Sequence, residues 1–180
     1  GNVTLTLQPG TQTYVVGDTF AVDVMLNTAG RAISGVAMRL VFPYNASNPI
    51  IDVVDADPAV SGIQIQSTAG TLDASFATNV NLAQGQPSGQ MFIDFSATTS
   101  TTDGYTNTSG QKIATITFKA KKTGVISIEH DPTRSLVTDK TTSLDVLQTI
   151  PTYELSVVDD TQKPTVTITA GPDNNATLGA

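Results

Sequence analysis

The chain has 180 residues and a formal net charge of −7, because 16 acidic residues outnumber 9 lysines and arginines. Thirty-nine per cent of its residues are hydrophobic, which is enough to fill a core at this length and excludes a wholly disordered chain. The sequence has neither the clustered cations that bind nucleic acid or anionic membranes nor an apolar run near the roughly 18 residues that span a bilayer. It therefore predicts no nucleic-acid partner and no membrane insertion.

The dominant pattern is an alternation of apolar and polar side chains, which is typical of strands with one buried face. Glycine, proline, asparagine and aspartate separate the alternating runs and predict turns between them. In chain order the predicted strands cover residues 3–7, 20–26, 36–42, 50–54, 63–66, 72–76, 91–95, 113–120, 125–128, 136–137 and 153–158. No window has a helical stripe of useful length, so the sequence predicts an all-β chain with about nine to eleven short strands in a sandwich or jelly roll.

A polar segment that ends in Pro164 follows the last of these strands and predicts a domain boundary. We therefore expect one domain over residues 1–158 and a linker with an isolated strand over residues 159–180. The central residues of the isolated strand are Val166, Thr167, Ile168 and Thr169. Because one strand cannot fold alone, we expect it to add to an edge of its own domain, to add to a neighbouring molecule, or to begin another module.

Residues that could support catalysis are few. The chain has no cysteine, and it has no sequence motif of a serine hydrolase, a zinc protease or a phosphate-binding loop. His130 is the only histidine, and Glu129 or Asp131 could orient it as a general base. A solvated strand end is the alternative that we favour, since such residues are common in loops. The sequence therefore predicts no enzyme, no catalytic residue and no cofactor.

Two groups of aspartates could offer hard oxygen ligands to calcium. Asp52, Asp55 and Asp57 are close in sequence, and so are Asp159 and Asp160. Neither group has the spacing of an EF-hand loop, and acidic loops are more often solvated. We predict no metal site and keep a structural calcium ion as the less favoured alternative.

Serine, threonine and asparagine are abundant and lysine is scarce, a composition that is common on exported bacterial modules. We therefore expect an extracellular or cell-surface location. Four Asn-x-Ser/Thr sequons begin at Asn2, Asn45, Asn107 and Asn175. They predict glycosylation only in a host that glycosylates exported proteins.

A carbohydrate-binding sandwich usually offers a flat platform of aromatic side chains, but aromatic residues make up only 6% of this chain, with no tryptophan. Five phenylalanines fall on the apolar phase of their strands and are predicted to be buried: Phe20, Phe42, Phe76, Phe95 and Phe118. Phe92 has the opposite phase. Tyr14, Tyr44 and Tyr105 are candidates for exposure, but they lie on separate loops. This distribution disfavours carbohydrate binding and leaves it as an alternative.

Several stretches of the sequence resemble cohesin domains. The opening half of that family resembles Thr-Phe-Ala-Val-Asp-Val-Met-Leu-Asn at residues 19–27, Ile-Ser-Gly-Val-Ala-Met-Arg-Leu-Val-Phe-Pro at 33–43 and Ile-Ile-Asp-Val-Val at 50–54. A late strand pair of the family resembles Gly-Gln-Lys-Ile-Ala-Thr-Ile-Thr-Phe-Lys-Ala at residues 110–120 and Gly-Val-Ile-Ser-Ile at 124–128. The resemblance covers most of residues 3–158. Residues 164–173 resemble the start of a bacterial immunoglobulin-like repeat.

The resemblance implies an antiparallel jelly-roll β-sandwich of about nine strands that binds a dockerin, a small helical module that carries its own calcium ions. In the family the partner docks on a sheet face built from the third, fifth, sixth and eighth strands. The alternation within each strand predicts which of its residues point outward on that face. These residues are Gly35, Ala37, Arg39, Val41, Asp73, Ser75, Ala77, Phe92, Asp94, Ser96, Thr115, Thr117 and Lys119. Phe92 and Arg39 are the candidate anchors, and the alternative interpretation is a merely solvated sheet face.

The leading hypothesis is therefore a non-catalytic protein-binding module of an exported or cell-surface protein, with a dockerin-like partner. The first alternative is a structural subunit of an extracellular fibre or surface layer, in which the isolated strand adds to a neighbouring copy of the chain. A carbohydrate-binding module is the second alternative.

Overall fold

The computed structural model describes residues 2–72 and 76–160. Within these ranges it contains thirteen strands and one helical turn. The strands are β1 (Thr4–Gln8), β2 (Gln12–Val15), β3 (Thr19–Asn27), β4 (Ile33–Pro43), β5 (Ile51–Val53), β6 (Ile63–Gln64), β7 (Gln66–Ser67), β8 (Phe76–Gln86), β9 (Gln90–Thr99), β10 (Gln111–Ala120), β11 (Gly124–His130), β12 (Leu136–Asp139) and β13 (Tyr153–Val158). The helical turn α1 (Ala69–Leu72) lies between β7 and β8. No helix in the described residues is long and apolar enough to cross a membrane.

The strands form two sheets. In the smaller sheet the order is β1-β3-β10-β5, and β7 also pairs with β10. In the larger sheet the order is β2-β13-β11-β4-β9-β8-β6, and β12 pairs with β4 as well. The pairs of named strands are antiparallel, with the exception of β2 and β13. The prediction of an antiparallel β-sandwich is confirmed.

The inward side chains of both sheets form one hydrophobic core. Phe42 of β4 meets Phe118 of β10 edge-on, with ring centroids 6.0 Å apart, and this contact joins the larger sheet to the smaller one. The five phenylalanines that the sequence predicted to be buried are all at most 9% exposed. Burial of apolar side chains between the two layers is therefore what holds the sandwich together.

The predicted phase of the strands is confirmed in β4 and β9. Met38 and Ile93 are 1% and 0% exposed. Arg39 and Asp94 each lie one residue further along the strand, and their side chains are 21% and 29% exposed to solvent. Because successive side chains of a strand point to opposite faces, these residues define the outer face of the larger sheet.

The largest difference from the predicted strands is β8. The sequence predicted a strand at residues 72–76, whereas α1 comes first and β8 begins at Phe76. Residues 77–86 continue β8, although threonine, asparagine and glutamine interrupt its alternation. A register shift between Thr78 and Val80 against β9 changes the phase within the strand, which hides the strand from a search for period two. The edge strand β2, which has four residues, was not predicted either.

Part of the predicted organisation falls on residues that the structure does not describe. Residues 161–180, which include the strand-addition candidates Val166, Thr167, Ile168 and Thr169, lie outside the described ranges, and so do residues 73–75. The boundary near residue 158 and the resemblance to an immunoglobulin-like repeat therefore stay predictions.

Asp139 holds the turn that follows β12. Its carboxylate accepts hydrogen bonds from the guanidinium of Arg31 and from the backbone N–H groups of Thr141 and Thr142, each 2.8 Å long. Its side chain is only 6% exposed. These contacts, of which the bond from Arg31 is the strongest, lower the pKa of Asp139 from its ordinary value of 3.8 to about 2.

The Asp139→Asn variant is expected to be less stable than the parent chain at neutral pH, with a difference that fades in acid. A carboxylate with a lowered folded pKa stabilises the fold above its unfolded value of 3.8, and this contribution is lost as the pH falls toward about 2. Urea unfolding of both proteins at neutral and strongly acidic pH measures the difference. Asp103→Asn, at an exposed loop carboxylate, is the control. An Asp139→Asn deficit of equal size at both pH values would contradict this account.

Candidate functional site on the outer face of the larger sheet

Most of the predicted partner-binding residues come together on the outer face of the larger sheet. The register of β4 against β9 forms three direct pairs: Val41 with Phe92, Arg39 with Asp94, and Ala37 with Ser96. Gly35 and Ala77 extend this face, because both pair with Thr98 of β9, although Gly35 itself is buried. Side chains directly opposite each other in a sheet lie about 4.5–5.5 Å apart, so these residues form one continuous surface.

Thr115, Thr117 and Lys119 do not belong to this face. They lie on β10, between β3 and β5 of the smaller sheet, and their outward side chains are on the opposite side of the sandwich. The prediction of a single surface that includes them is wrong, because alternation sets which side of a strand faces outward but not which sheet the strand joins. Asp73 and Ser75 lie outside the described residues.

Ala37 and Ser96 form the floor of a shallow groove. On one side Leu136 of β12 pairs with Ala37, and on the other side Val80 of β8 pairs with Ser96. Leu136 and Val80 are 37% and 38% exposed and form the apolar walls. The groove has a volume of about 400 Å³. Its walls stand on strands about 14 Å apart, and an α-helix with its side chains is about 10–12 Å across, so the groove has the width of one helix.

A neutral ion pair lies at one end of the groove. Arg39 donates from two of its nitrogens to the two carboxylate oxygens of Asp94, at 2.7 and 3.0 Å. The guanidinium carbon of Arg39 lies 4.4 Å from the ring centroid of Phe92. The hydrogen bonds to Asp94 raise the pKa of Arg39. The bidentate geometry and the aromatic ring hold the guanidinium in place, so this end of the groove is pre-organised and electrically balanced.

The loop that precedes β12 is tied to the backbone of Arg39. The N–H of Asp131 donates to the carbonyl of Arg39 at 2.9 Å, and the N–H of Arg39 donates to Oγ of Ser135 at 3.0 Å. The carboxylate of Asp131 accepts from the hydroxyl and the N–H of Thr133 at 2.7 and 2.9 Å, which lowers the pKa of Asp131. The wall that carries Leu136 is therefore fixed relative to the groove floor.

The aspartates considered as calcium ligands make other contacts. In residues 2–72 and 76–160, no three acidic, histidine or cysteine side chains are placed to hold a metal ion. Asp52 accepts a hydrogen bond of 2.9 Å from the phenol of Tyr44, and Asp55 accepts the backbone N–H groups of Asp57 and Gln64. Burial and the bond to Asp52 raise the pKa of Tyr44 to about 12. These aspartates order loops and do not converge on a shared point.

His130 ends β11, where its backbone pairs with Leu40 and its side chain is half-buried. Within the described part of the chain, neither Glu129 nor Asp131 forms a hydrogen bond or an ion pair with the imidazole. In catalytic triads a third group orients the ring of the histidine base. The geometry therefore matches the solvated strand end better than a catalytic histidine.

The tyrosines do not form an exposed aromatic platform. Tyr105 is 7% exposed and packs against Phe76 with centroids 5.0 Å apart, so the expectation that it is exposed is wrong. Tyr14 and Tyr44 are half-buried, and Tyr14 stacks on a core phenylalanine with 3.6 Å between centroids. Phe92 lies half-buried beneath a guanidinium on the outer face of the larger sheet. This arrangement does not offer the flat rings on which a sugar would stack.

The sequence prediction missed both wall residues of the groove, and it missed Thr133 and Arg134, which also line it. Val80 follows the register shift of β8, where the alternation fails, although an apolar side chain within a polar run was a usable signal. Leu136 belonged to a predicted strand, but no pattern in the sequence placed that strand beside β4. Both walls of the groove thus come from pairings between distant parts of the chain.

Several solved structures have a fold similar to that of this chain. The chain is similar to CaCohA2 from Clostridium acetobutylicum, with 20% identity and a TM-score of 0.55 over 87% of this chain and 91% of that one. It is similar to a chain of a type I cohesin–dockerin complex from Clostridium thermocellum, with 13% identity and a TM-score of 0.55 over 88% and 100% of the two chains. It is also similar to the seventh ScaB type I cohesin from Pseudobacteroides cellulosolvens, with 18% identity and a TM-score of 0.54 over 92% and 95%.

No protein-family model and no curated protein matches the sequence. The similar structures are 13%, 18% and 20% identical to this chain, and what they share with it is the fold. The coverage is nearly complete on both sides, and the two antiparallel layers agree with it. The resemblance seen in the sequence is confirmed at this level: the chain has the fold of cohesin domains, a jelly-roll β-sandwich.

Proposed function

We propose that the chain is a non-catalytic module that binds a dockerin-like helical protein in the groove between Leu136 and Val80. The observation that carries the proposal is a pre-organised groove of one helix's width on an outward sheet face. The similar structures support it, since several are cohesins in complex with dockerins. The residues proposed to contact the partner are Gly35, Ala37, Arg39, Val41, Ala77, Val80, Phe92, Asp94, Ser96 and Leu136.

The dimensions of the face suit one helix. From Gly35 to Val41 the face extends about 20 Å along β4. That length matches about 13 residues of α-helix, at 1.5 Å per residue. The small side chains of Ala37 and Ser96 allow the helix to approach the sheet closely, and the apolar walls then lose their contact with water. Each Å² of apolar surface buried in this way contributes about 25 cal/mol before the costs of association are subtracted.

Phe92 and Arg39 are proposed as the energetic anchors. Aromatic and arginine side chains are enriched among the residues that dominate binding energy. Arg39 is already held by Asp94 and by the ring of Phe92, so binding does not have to order its long side chain. A smaller loss of conformational entropy leaves more of the contact energy as affinity.

Phe92→Ala and Arg39→Ala are each expected to weaken dockerin binding by about tenfold or more, near 1.4 kcal/mol. The measurement is isothermal titration calorimetry against a panel of recombinant dockerin modules in the presence of calcium. Thr117→Ala, on the outer side of the smaller sheet, is the matched control and should bind as tightly as the parent chain.

Two outcomes would count against the proposal in different ways. If no dockerin of a broad panel binds the parent chain more tightly than about 10 µM, the proposed function is wrong. If a dockerin binds and the Phe92→Ala, Arg39→Ala double variant keeps parental affinity, the function stands and the proposed face is wrong.

We further propose that the module works outside the cell or on its surface and that residues 1–158 form its domain. The hydroxyl-rich, lysine-poor composition supports the location. The single core, to which β1 and β13 both contribute, supports the domain limits.

A further inference from the structure

Arg134 stands at the edge of the groove with an unpaired positive charge. It is exposed, and it lines the groove together with Leu136 and Ala37. Within residues 2–72 and 76–160 its guanidinium forms no ion pair and no hydrogen bond. Its backbone N–H donates to the carbonyl of Asp131 at 3.0 Å, which closes the turn that places it there.

Two carboxylates on the β12 side, those of Asp131 and of the exposed Glu129 opposite Val41, do not line the groove, and the two other charges that do line it form a pair. Arg39 and Asp94 neutralise each other through two hydrogen bonds. Asp131 attracts both arginines weakly, but its carboxylate is engaged by Thr133 and forms no ion pair with Arg134. The charged residues that line the groove are Arg39, Asp94 and Arg134, and among these Arg134 is the one whose side chain has no hydrogen-bonded partner in the described part of the chain.

The two walls of the groove therefore differ. On β8 the outward residues opposite β9 include Ala77, Val80, Leu82 and Gln84, and no residue of this strand is charged. On the β12 side, Leu136 is accompanied by the free guanidinium of Arg134. A helix in the groove would meet an uncharged wall on one side and, on the other, a guanidinium whose hydrogen-bond donors are free.

Building on the proposed function, we infer that the docked helix carries an aspartate or glutamate on the side that faces β12, where its carboxylate pairs with Arg134. A guanidinium can bind a carboxylate through two parallel hydrogen bonds, which fixes orientation as well as adding energy. The net charge of −7 opposes an acidic partner at long range. At physiological salt, exposed charges more than about 8 Å apart are largely screened from each other. The charges close to the docked helix therefore decide whether the pair forms. The pair thus sets how the helix is rotated about its own axis.

The test uses a dockerin whose binding to the full chain depends on Phe92. Arg134→Ala is expected to weaken its binding about threefold to fivefold, and Arg134→Glu about tenfold or more. Lys119→Glu makes the same change of charge on the outer side of the smaller sheet and should leave the affinity unchanged. Raising the salt to about 0.5 M should shrink the effect of Arg134→Ala, because an exposed ion pair is screened.

A double-mutant cycle identifies the carboxylate. Each aspartate or glutamate on the dockerin helices that does not bind its calcium is changed to asparagine or glutamine and combined with Arg134→Ala. One of them is expected to show a coupling of about threefold. If none couples, or if both Arg134 variants bind like the parent while Phe92→Ala does not, the inference is overturned and the proposed function stands. If Lys119→Glu weakens dockerin binding as much as Arg134→Glu does, the cause is the net charge of the chain, and the inference is overturned as well. If no dockerin binds the parent chain, both the proposed function and this inference are wrong.

Discussion

Ala37→Lys is expected to weaken dockerin binding by at least about a hundredfold, near 2.7 kcal/mol, with little change in stability. Ala37 lies half-buried on the groove floor, between Ser96 and Leu136. A lysine at this position would place its four-carbon chain in the space that the helix must occupy. It would also add a charge beside Arg39, whose own charge is balanced by Asp94. Calorimetric titration with a dockerin that binds the parent chain measures the loss.

The matched control is Thr117→Lys, which introduces the same side chain on the outer side of β10 in the smaller sheet. It should bind as the parent chain does, and thermal unfolding followed by circular dichroism should show that both variants are folded. Near-parental affinity of Ala37→Lys would mean that docking takes place elsewhere on the sandwich. Loss of binding in Thr117→Lys alone would assign docking to the smaller sheet.

Phe118→Ala is expected to lower the free energy of unfolding by about 3–5 kcal/mol. The side chain is 0% exposed. It lies between Phe20 and Phe42, with centroids 5.6 and 6.0 Å away, at the junction of the two sheets. Removing the ring loses the free energy gained by transferring it from water into the core. It also leaves a cavity that the sandwich cannot close without shifting a whole sheet. Domains are typically stable by only about 5–15 kcal/mol, so much of the total would be lost.

Urea unfolding at neutral pH measures this loss, with Phe92→Ala as the control. Phe92 is half-buried on the outer face, so its removal should cost less than half as much as that of Phe118. A similar cost for the two variants would mean that the assignment of core and surface faces is wrong. The pair also separates stability from binding, because Phe92→Ala should impair docking in a protein that remains folded.

Much of the candidate site was predictable from alternation alone. The sequence predicted that Met38 and Ile93 are buried and that their neighbours Arg39 and Asp94 face outward, and the structure confirms both. This succeeds because side-chain direction in a strand depends only on the position of a residue along that strand. The same local rule identified Phe92 as the phenylalanine that departs from the core phase.

The grouping of strands was not predictable in this way. Thr117 has the outward phase that the sequence predicted, yet it faces away from Arg39 because β10 joins the smaller sheet. Val80 and Leu136 became walls of one groove only through the pairings of β8 and β12. The register shift within β8 adds a residue that no periodic pattern anticipates.

The amino-acid sequence by itself determined the all-β class, the inward and outward sides of the main strands and the resemblance to cohesin domains. The tertiary structure decided which strands are neighbours, and with that the groove, its two unlike walls and the free charge of Arg134. The physical reason is how far apart along the chain the residues are that determine each feature. Alternation is a property of adjacent residues, whereas a groove is formed by backbone hydrogen bonds between segments that are far apart in the chain.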